Sequence, residues 1–522
     1  MNSSTGCSVS LMKETIIEVD DPLIRALCDP AVYDHDVESV RVIETHISWV
    51  LLTGSYVYKI KKPVSLPFVD FSTLGRRRTF CEEELRLNRR LAPNLYLDVV
   101  PIGGSIEHPI IGAHPVIEYA VKLREFQPGA RLDERLEAGG VPVGDIHALA
   151  ETIANFHGSL SSSQRFGSPV AITRAALSNV RETEQVLRRT KCGEDLAALR
   201  DWIAARCKEL ERIFAARKRQ GAIREGHGDL HLENLAYWDN RIVPFDALEF
   251  DLHLRWIDVI DEVAFLVMDL MAHDRAGLAH ELLNRYLEVT GDYAGLEVFR
   301  FYLVHRALVR AKVAAIKGVH ADHYIRCACR LIQPSAPLLL ITHGLSGSGK
   351  TSVTNQLISR LPAIRCRSDL ERKRLHGLAP QTRSGATVGT GLYTRNSSQE
   401  TYATLQHHAA LGLRAGINVM VDATFLRRAE RESFIRLADR ERARFTMLDC
   451  RAPEPVLRQR IEARREQKLD ASEATIEVLD HQLATNEPFN REELKFVVPV
   501  DTQRDIDYDA LERRVAHGHR FS

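Results

Sequence analysis

Gly344-Leu-Ser-Gly-Ser-Gly-Lys-Thr351 follows the apolar run Leu338-Leu-Leu-Ile-Thr342 and opens a helical stretch. It is the G-x-x-x-x-G-K-[ST] pattern in the strand–loop–helix context that gives the pattern meaning. Glycines let backbone N–H groups turn inward around phosphate oxygens, and a helix N-terminus adds positive potential. The nucleotide-contacting stretch is then Gly344, Ser346, Gly347, Ser348, Gly349, Lys350, Thr351 and Ser352. Lys350 reaches the β- and γ-phosphates, and Thr351 offers its hydroxyl to Mg²⁺. ATP and Mg²⁺ are the cofactors this loop calls for.

Outward from the loop, Val419-Met-Val-Asp422 and Phe496-Val-Val-Pro-Val500 read as further buried strands, and Pro334-Ser-Ala-Pro337 punctuates the chain before them. Strands alternating with helices predict a parallel α/β domain over 337–522. Asp422 ends its strand where an acid can hold Mg²⁺; a plain turn-forming acid is the bland reading. Asp369, in Arg367-Ser-Asp-Leu-Glu-Arg, can accept or orient the proton of an incoming hydroxyl, or cap the helix that begins at Leu370. Arg458, Arg460, Arg464 and Arg465 share a helical stretch, with Arg460 and Arg464 suited to a lid closing over the transferred phosphoryl group. The bland alternative is a solvated basic face. These motifs resemble the small-molecule and polynucleotide P-loop kinases, namely gluconate kinase, polynucleotide 5′-kinase and zeta-toxin-like proteins. In that family the counterpart of Asp369 handles the acceptor hydroxyl.

The first half carries a second motif, His227-Gly-Asp-Leu-His-Leu-Glu-Asn234. An Asp followed five residues later by an Asn is the spacing of a phosphotransferase catalytic loop, where Asp229 orients the acceptor hydroxyl and Asn234 binds Mg²⁺. Such a loop needs a second acid at the end of a nearby hairpin. Ile242-Val-Pro-Phe-Asp246 supplies it, with the turn in Tyr237–Asn240. Residues 35–330 resemble aminoglycoside phosphotransferases and their choline-kinase-like relatives. The resemblance makes Asp229 the catalytic Asp, Asn234 and Asp246 metal ligands, and Asp258 and Asp261 braces of the loop.

The nucleotide lysine lies in Tyr56-Val-Tyr-Lys-Ile-Lys-Lys62. Lys59 and Lys61 share one strand face, so alternation does not choose between them; the family's position falls on Lys59. Among Glu82, Glu83 and Glu84, only Glu84 aligns with Phe80, Leu87 and Leu91 at helical spacing. An inward Glu needs a cation, and Lys59 is the natural one. The loop expected over the phosphates, Glu44-Thr-His-Ile-Ser48, lacks glycine, leaving Thr45, Ser48 and backbone N–H groups to hold phosphate. The hinge for adenine falls near Tyr119–Phe126.

Composition sets the frame. The 522 residues carry 70 Lys+Arg against 70 Asp+Glu, 44% hydrophobic and 27% charged residues, which excludes a disordered or fibrous chain. Zero net charge gives no general case for nucleic acid or anionic membrane. Nine scattered cysteines without a Cys-x-x-Cys pair read as reduced thiols. The N-terminus lacks a signal-peptide core and no apolar run nears 18 residues, so the expected location is cytoplasmic. Arg306, Arg310 and Lys312 read as a solvated helix face. His407-His408 and His517-Gly-His519 lack ligand-spaced partners and read as core or solvent residues.

The expected architecture is an α+β two-lobed protein-kinase-like domain followed by an α/β P-loop NTPase domain with a parallel sheet. Residues 1–15 form a tail, 16–333 the aminoglycoside-phosphotransferase-like domain, and 337–522 the P-loop kinase domain. The whole chain resembles the bacterial fusion of these two. The resemblance implies a bifunctional phosphotransferase that moves the γ-phosphate to alcohol groups of small molecules. The alternative is a single kinase in the P-loop half, acting on a small molecule or a polynucleotide 5′-hydroxyl, with the first half sensing nucleotide or binding substrate. Nucleic acid is the less favoured partner, and a membrane is not expected.

Overall fold

A computed structural model of the chain describes residues 20–66, 69–188, 193–334, 336–378, 395–467, 475–516 and 518–519, apart from the side chains of 395 and 464–467. Every residue of the strand Leu338–His343 is buried because it is the middle strand of a five-stranded sheet. The order is Ala363–Arg367, Asn418–Asp422, Leu338–His343, Arg444–Arg451, Val497–Asp501, and all neighbours run parallel. Burial on both faces is why the middle strand reads as an unbroken apolar run. The helix Lys350–Ile358 lays Val353, Leu357 and Ile358 on Leu338, Leu340 and Leu448, and Leu511 and Val515 of the helix Tyr508–Ala516 complete that core.

Arg444–Arg451 is a strand that hydrophobic patterning did not single out, because Asp449 interrupts it. Inside the sheet Asp449 accepts from His343 on the adjacent strand at 2.7 Å, so the polar residue is matched rather than exposed.

The chain divides into two compact units, and the division runs through the first half rather than at Pro334–Pro337. Met1–Arg135 with Glu233–Leu254 form one unit; Leu136–Leu232 with Arg255–Ser522 form the other. In the first unit, six antiparallel strands run in the order Arg41–Glu44, Ser48–Leu52, Tyr56–Lys61, Val116–Arg124, Tyr96–Gly104, Pro109–Ile111. Ser48–Leu52 and Tyr56–Lys61 form an antiparallel hairpin, with Gly54 at φ +89° in its turn. The helix Leu74–Asn88 buries Arg77, Cys81, Glu84, Leu87 and Asn88, whereas Leu91 lies beyond its end. Arg77 is matched by Glu118, which accepts from its Nε at 2.9 Å. A two-residue turn, Asp239 and Asn240 at φ +50° and +59°, joins Leu235–Trp238 to Arg241–Pro244, the geometry that positive-φ hairpin turns require.

In the second unit the helices Val259–Ala272 and Leu296–Ile316 are buried along most of their length and pack on each other, in the same compact unit as the P-loop sheet. The helix Ala276–Thr290 lies against the edge strand Ala363–Arg367. The Asn284 side chain donates to the Ala363 carbonyl at 2.9 Å and accepts from the Arg365 N–H at 2.6 Å. One amide side chain thereby supplies the two hydrogen bonds a neighbouring strand would give, which covers the exposed sheet edge.

Arg431 is the largest fully buried side chain of the second unit. It donates to Glu493 at 2.7 Å and to the carbonyls of Phe425, Leu426, Glu487 and Pro488 at 3.1–3.3 Å. Removing it strands a buried carboxylate and several carbonyls. Arg431→Leu is expected to cost about 3–5 kcal/mol in urea unfolding of the second unit, and Arg431→Leu/Glu493→Leu to recover part of that loss. Arg436→Leu, at an exposed position of the same helix, should stay within about 0.5 kcal/mol of the parent.

Candidate functional site

Three glycines shape the phosphate loop. Gly344, Gly347 and Gly349 all have positive φ, and a Cβ on Gly347 would lie 2.8 Å from the Leu457 carbonyl oxygen. The loop is thus wedged between its own strand and the helix Glu454–Gln467. Lys350 curls its ammonium onto the Gly344 and Leu345 carbonyls at 3.0 and 2.9 Å. Ser346 N–H donates to Gln482 at 2.8 Å, Ser348 is buried, and Ser352 is exposed on the following helix. Thr351 donates to the Asp422 carboxylate at 2.8 Å. Two oxygen donors from different elements converge under the loop, a donor set that fits a small hard cation such as Mg²⁺.

The helix begins at Ser368, so Asp369 sits in its first turn rather than capping it, with Arg372 at 3.7 Å. Arg460 donates to the Gly347 carbonyl at 3.3 Å and to the hydroxyl and carbonyl of Thr502 at 3.0 and 2.7 Å. In this structure it buttresses the loop from outside. Arg458 pairs with Glu454 and Asp480 at the surface. Arg464 occupies the same helix, and its side chain lies outside the described residues. Sequence reading missed Gln482 and Thr502, which carry no local signal. It also missed Thr354, one helical turn beyond Thr351, whose hydroxyl lies 3.4 Å from Asp422.

In the first unit, charge is concentrated around Glu84. Its two oxygens meet Lys59 at 2.9 Å and Lys61 at 2.8 Å. Lys61 also pairs with Glu249, and Lys59 with Asp246. Burial would push the Glu84 carboxyl up, but the two ammonium groups outweigh it and bring it down to about 2. Burial would lower Lys59, but Asp246 and Glu84 hold it well above the ordinary lysine value. Glu249 is pushed up by burial and by the neighbouring Glu84 charge. Where alternation left two lysines open, burial separates them. Lys61 is fully enclosed and stands over the Phe71 ring, while the side chain of Lys59 keeps 16% of its surface exposed. Glu249 was missed because nothing local marks it. Asp246 adopts φ +60°, and its N–H donates to the Tyr96 hydroxyl at 3.1 Å. Asn234 is in this unit too, its carbonyl accepting from Phe245 N–H at 3.0 Å.

The turn Glu44–Ser48 uses its own polar groups. The Thr45 hydroxyl donates to the Ser48 carbonyl at 2.9 Å and accepts from the Ser48 N–H at 2.9 Å, and the Ser48 side chain is fully buried. These groups close the turn, contrary to the expectation that they hold phosphate.

Asp229 belongs to the second unit. His231 Nε2 lies 3.3 Å from its carboxylate, and Arg310 Nη1 lies 3.4 Å from the same imidazole nitrogen. Burial alone would raise the Asp229 carboxyl; His231, His227 and Arg310 hold it well below the usual carboxylate range. The loop backbone is fixed by buried acids. His227 and Gly228 N–H groups donate to Glu262, and Leu232 N–H donates to Asp269 at 2.9 Å. A Cβ on Gly226 would strike Glu262 at 1.8 Å, so only glycine fits there. Asp258 caps its helix and takes Arg217 in two contacts of 2.6 and 2.7 Å. Arg306 and Arg310 correct the solvated-face expectation. Both are buried, Arg306 forked onto Asp261 at 2.7 and 2.9 Å and Arg310 donating to Tyr324, which donates to Asp269. Only Lys312 is a surface pair, with Glu182. His408 is half-buried beside Glu371 at 3.2 Å and stacks on Tyr293.

Residues 339–489 match the AAA_33 family model, described as an AAA domain. Over 87% of its length the chain is 29% identical to an uncharacterized protein of Mycobacterium tuberculosis, spanning 92% of that protein, and a Mycobacterium bovis protein gives the same figures. Similar solved structures include a gluconokinase from Sinorhizobium meliloti at 20% identity and TM-score 0.25, covering 35% of this chain and 97% of that one. A choline/ethanolamine kinase family protein from Mesorhizobium loti aligns at 15% identity and TM-score 0.37, covering 60% and 95%. The chain thus joins a six-stranded antiparallel sheet and its helix to a five-stranded parallel sheet that carries the phosphate loop, and the family match falls on the latter. Among the described residues no helix is long and apolar enough to cross a membrane.

Glu262 makes the loop's anchoring testable by pH. Burial would raise its carboxyl, but His157, His227 and the His227 N–H bring it down to about 2 from 4.5. A depressed folded value stabilises the protein above pH 4.5, and that contribution is lost as pH falls toward 2. The loss is about 3 kcal/mol in full. Urea midpoints at pH 6 and pH 3.5 should fall more steeply for wild type than for Glu262→Gln; equal slopes would assign the acid sensitivity elsewhere.

Proposed function

We propose that the chain is an ATP- and Mg²⁺-dependent phosphotransferase acting on hydroxyl groups of small molecules, with one nucleotide site in residues 16–333 and another in 337–522. The observation that carries this reading is the Thr351–Asp422 pair beneath a loop of three positive-φ glycines, with Lys350 poised on that loop. In the P-loop half, Lys350 leaves its loop carbonyls for the β- and γ-phosphates, and Thr351 and Asp422 hold the cation. A Mg²⁺ held by Thr351 and Asp422 would offset the charge that builds during transfer. Asp369 takes the proton of the acceptor hydroxyl as its oxygen bonds to the γ-phosphorus. The bond to the β,γ-bridging oxygen breaks, and ADP leaves. Arg460 steadies the loop that carries this charge.

In the first half Lys59, kept charged by Glu84 and Asp246, pairs with the α/β-phosphates. Asn234 and Asp246 are oxygen donors suited to the cation, and Asp229, ionised through its His231 contact, orients the acceptor hydroxyl. A cytoplasmic location completes the proposal. A second reading, in which the first half only senses nucleotide or binds substrate, is favoured by the Thr45 turn, whose hydroxyl is already committed to Ser48. A polynucleotide end as acceptor has no observation of its own behind it.

The test is transfer of labelled γ-phosphate from ATP into a small-molecule extract, with products resolved by mass. Asp229→Ala and Lys350→Ala are each expected to lower a different product by about 100-fold or more. If only Lys350→Ala acts, the sensor reading replaces the two-site one. If neither variant changes any product, the phosphotransferase proposal fails.

A further inference from the structure

The P-loop's cation-binding pair is not supported by the P-loop half alone. Glu288 projects from the helix Ala276–Thr290 of the first half and accepts from Arg365 Nη2 at 2.8 Å. Arg365 lies on the edge strand of the P-loop sheet. The other arm of the same guanidinium, Nη1, donates to the Thr354 hydroxyl at 3.3 Å and to Asn355 Oδ1. Thr354 Oγ1 in turn lies 3.4 Å from Asp422 Oδ2 and 3.1 Å from the Thr351 carbonyl, and Asp422 Oδ2 accepts from the Thr351 hydroxyl. Glu288, Arg365, Thr354 and Asp422 are all at most 5% exposed.

The direction of each hydrogen bond matters. A threonine hydroxyl that accepts from a guanidinium must turn its single hydrogen elsewhere, and here the partners on that side are Asp422 and the Thr351 carbonyl. A guanidinium is planar and always charged, so pinning one arm on Glu288 fixes where the other arm points. Asn284 holds the backbone of the same strand at Ala363 and Arg365, one helical turn before Glu288. Arg285 approaches Glu288 at 3.2 Å, Arg374 donates to its carbonyl at 2.8 Å, and Arg367 stands 4.0 Å away. A cavity of about 400 Å³ beside this contact is lined by His147, Glu281, Arg285, Glu288, Asn355 and Arg367, so the relay borders an open space rather than a solid core.

We infer that Glu288 is a positioning residue for the P-loop site: acting through Arg365 and Thr354, it sets the Asp422 carboxylate to receive the divalent cation together with Thr351. The inference rests on the reading of that site as a Mg²⁺–nucleotide site. Without Glu288, Arg365 keeps its charge, loses its neutralising partner, and has Asp422 as the other carboxylate on the relay. The guanidinium then competes with the cation for that carboxylate. The first half therefore conditions metal use in the second, whether or not it transfers phosphate itself.

The experiment titrates the full-length protein with MgCl₂ in the presence of a fluorescent ATP analogue, and takes the binding that Lys350→Ala removes as the P-loop signal. Glu288→Gln is expected to raise the half-saturating Mg²⁺ concentration about tenfold, the usual effect of losing an outer partner of a metal ligand. Analogue binding in EDTA should change less than twofold. Arg365→Lys, which keeps the charge but loses the fork, should behave the same way, and Glu288→Asp should recover part of the shift. Thr354→Val, an isosteric change, carries the test if Glu288→Gln does not fold. Mg²⁺ curves that superimpose on wild type while the melting temperature falls would overturn the inference, leaving Glu288 a structural clamp. If Lys350→Ala removes no binding, the nucleotide reading itself falls and the inference with it.

Discussion

Charge taken out of water has to be matched inside the protein, and both units of this chain are organised around that requirement. In the first unit Glu84 is fully buried and stays ionised only because Lys59 and Lys61 flank it. In the second, Arg217 with Asp258, Arg306 with Asp261, Arg365 with Glu288 and Arg431 with Glu493 each close a buried pair across distant parts of the chain. A fork on a carboxylate fixes orientation as well as charge, so these pairs determine where the loops they brace can point. The Asp229 loop is the clearest case, held from behind by Glu262 and Asp269.

The same requirement shapes how the P-loop sheet is finished. Its edge strand Ala363–Arg367 would present unpaired backbone groups and two arginines. The helix Ala276–Thr290 answers both, with Asn284 serving the backbone and Glu288 the charge. That contact belongs to one compact unit with the phosphate loop, which is why the chain divides within its first half and not at the proline-marked boundary. Pro334–Pro337 still marks where the texture changes, since the helix Asp322–Ile332 ends before it and the middle strand of the sheet begins at Leu338.

By itself the sequence determined what depends on covalent spacing. The glycines of Gly344–Thr351 can reach positive φ, the Asp239–Asn240 turn lies between two strands, and the five-residue step from Asp229 to Asn234 is set by the chain. The apolar strands Leu338–His343 and Asn418–Asp422 were legible because burial on both faces demands continuous hydrophobicity. Only the tertiary structure decided what depends on partners far along the chain. Lys61 meets Glu249 across 188 residues, and Arg365 meets Glu288 across 77. It enclosed Lys61 while leaving Lys59 a small exposed surface, buried Arg306 and Arg310 where a solvated face was expected, and committed Thr45 to its own turn. Periodicity reports which face a residue occupies; it carries no record of which opposite charge will stand against that face, because the pairing is made by packing.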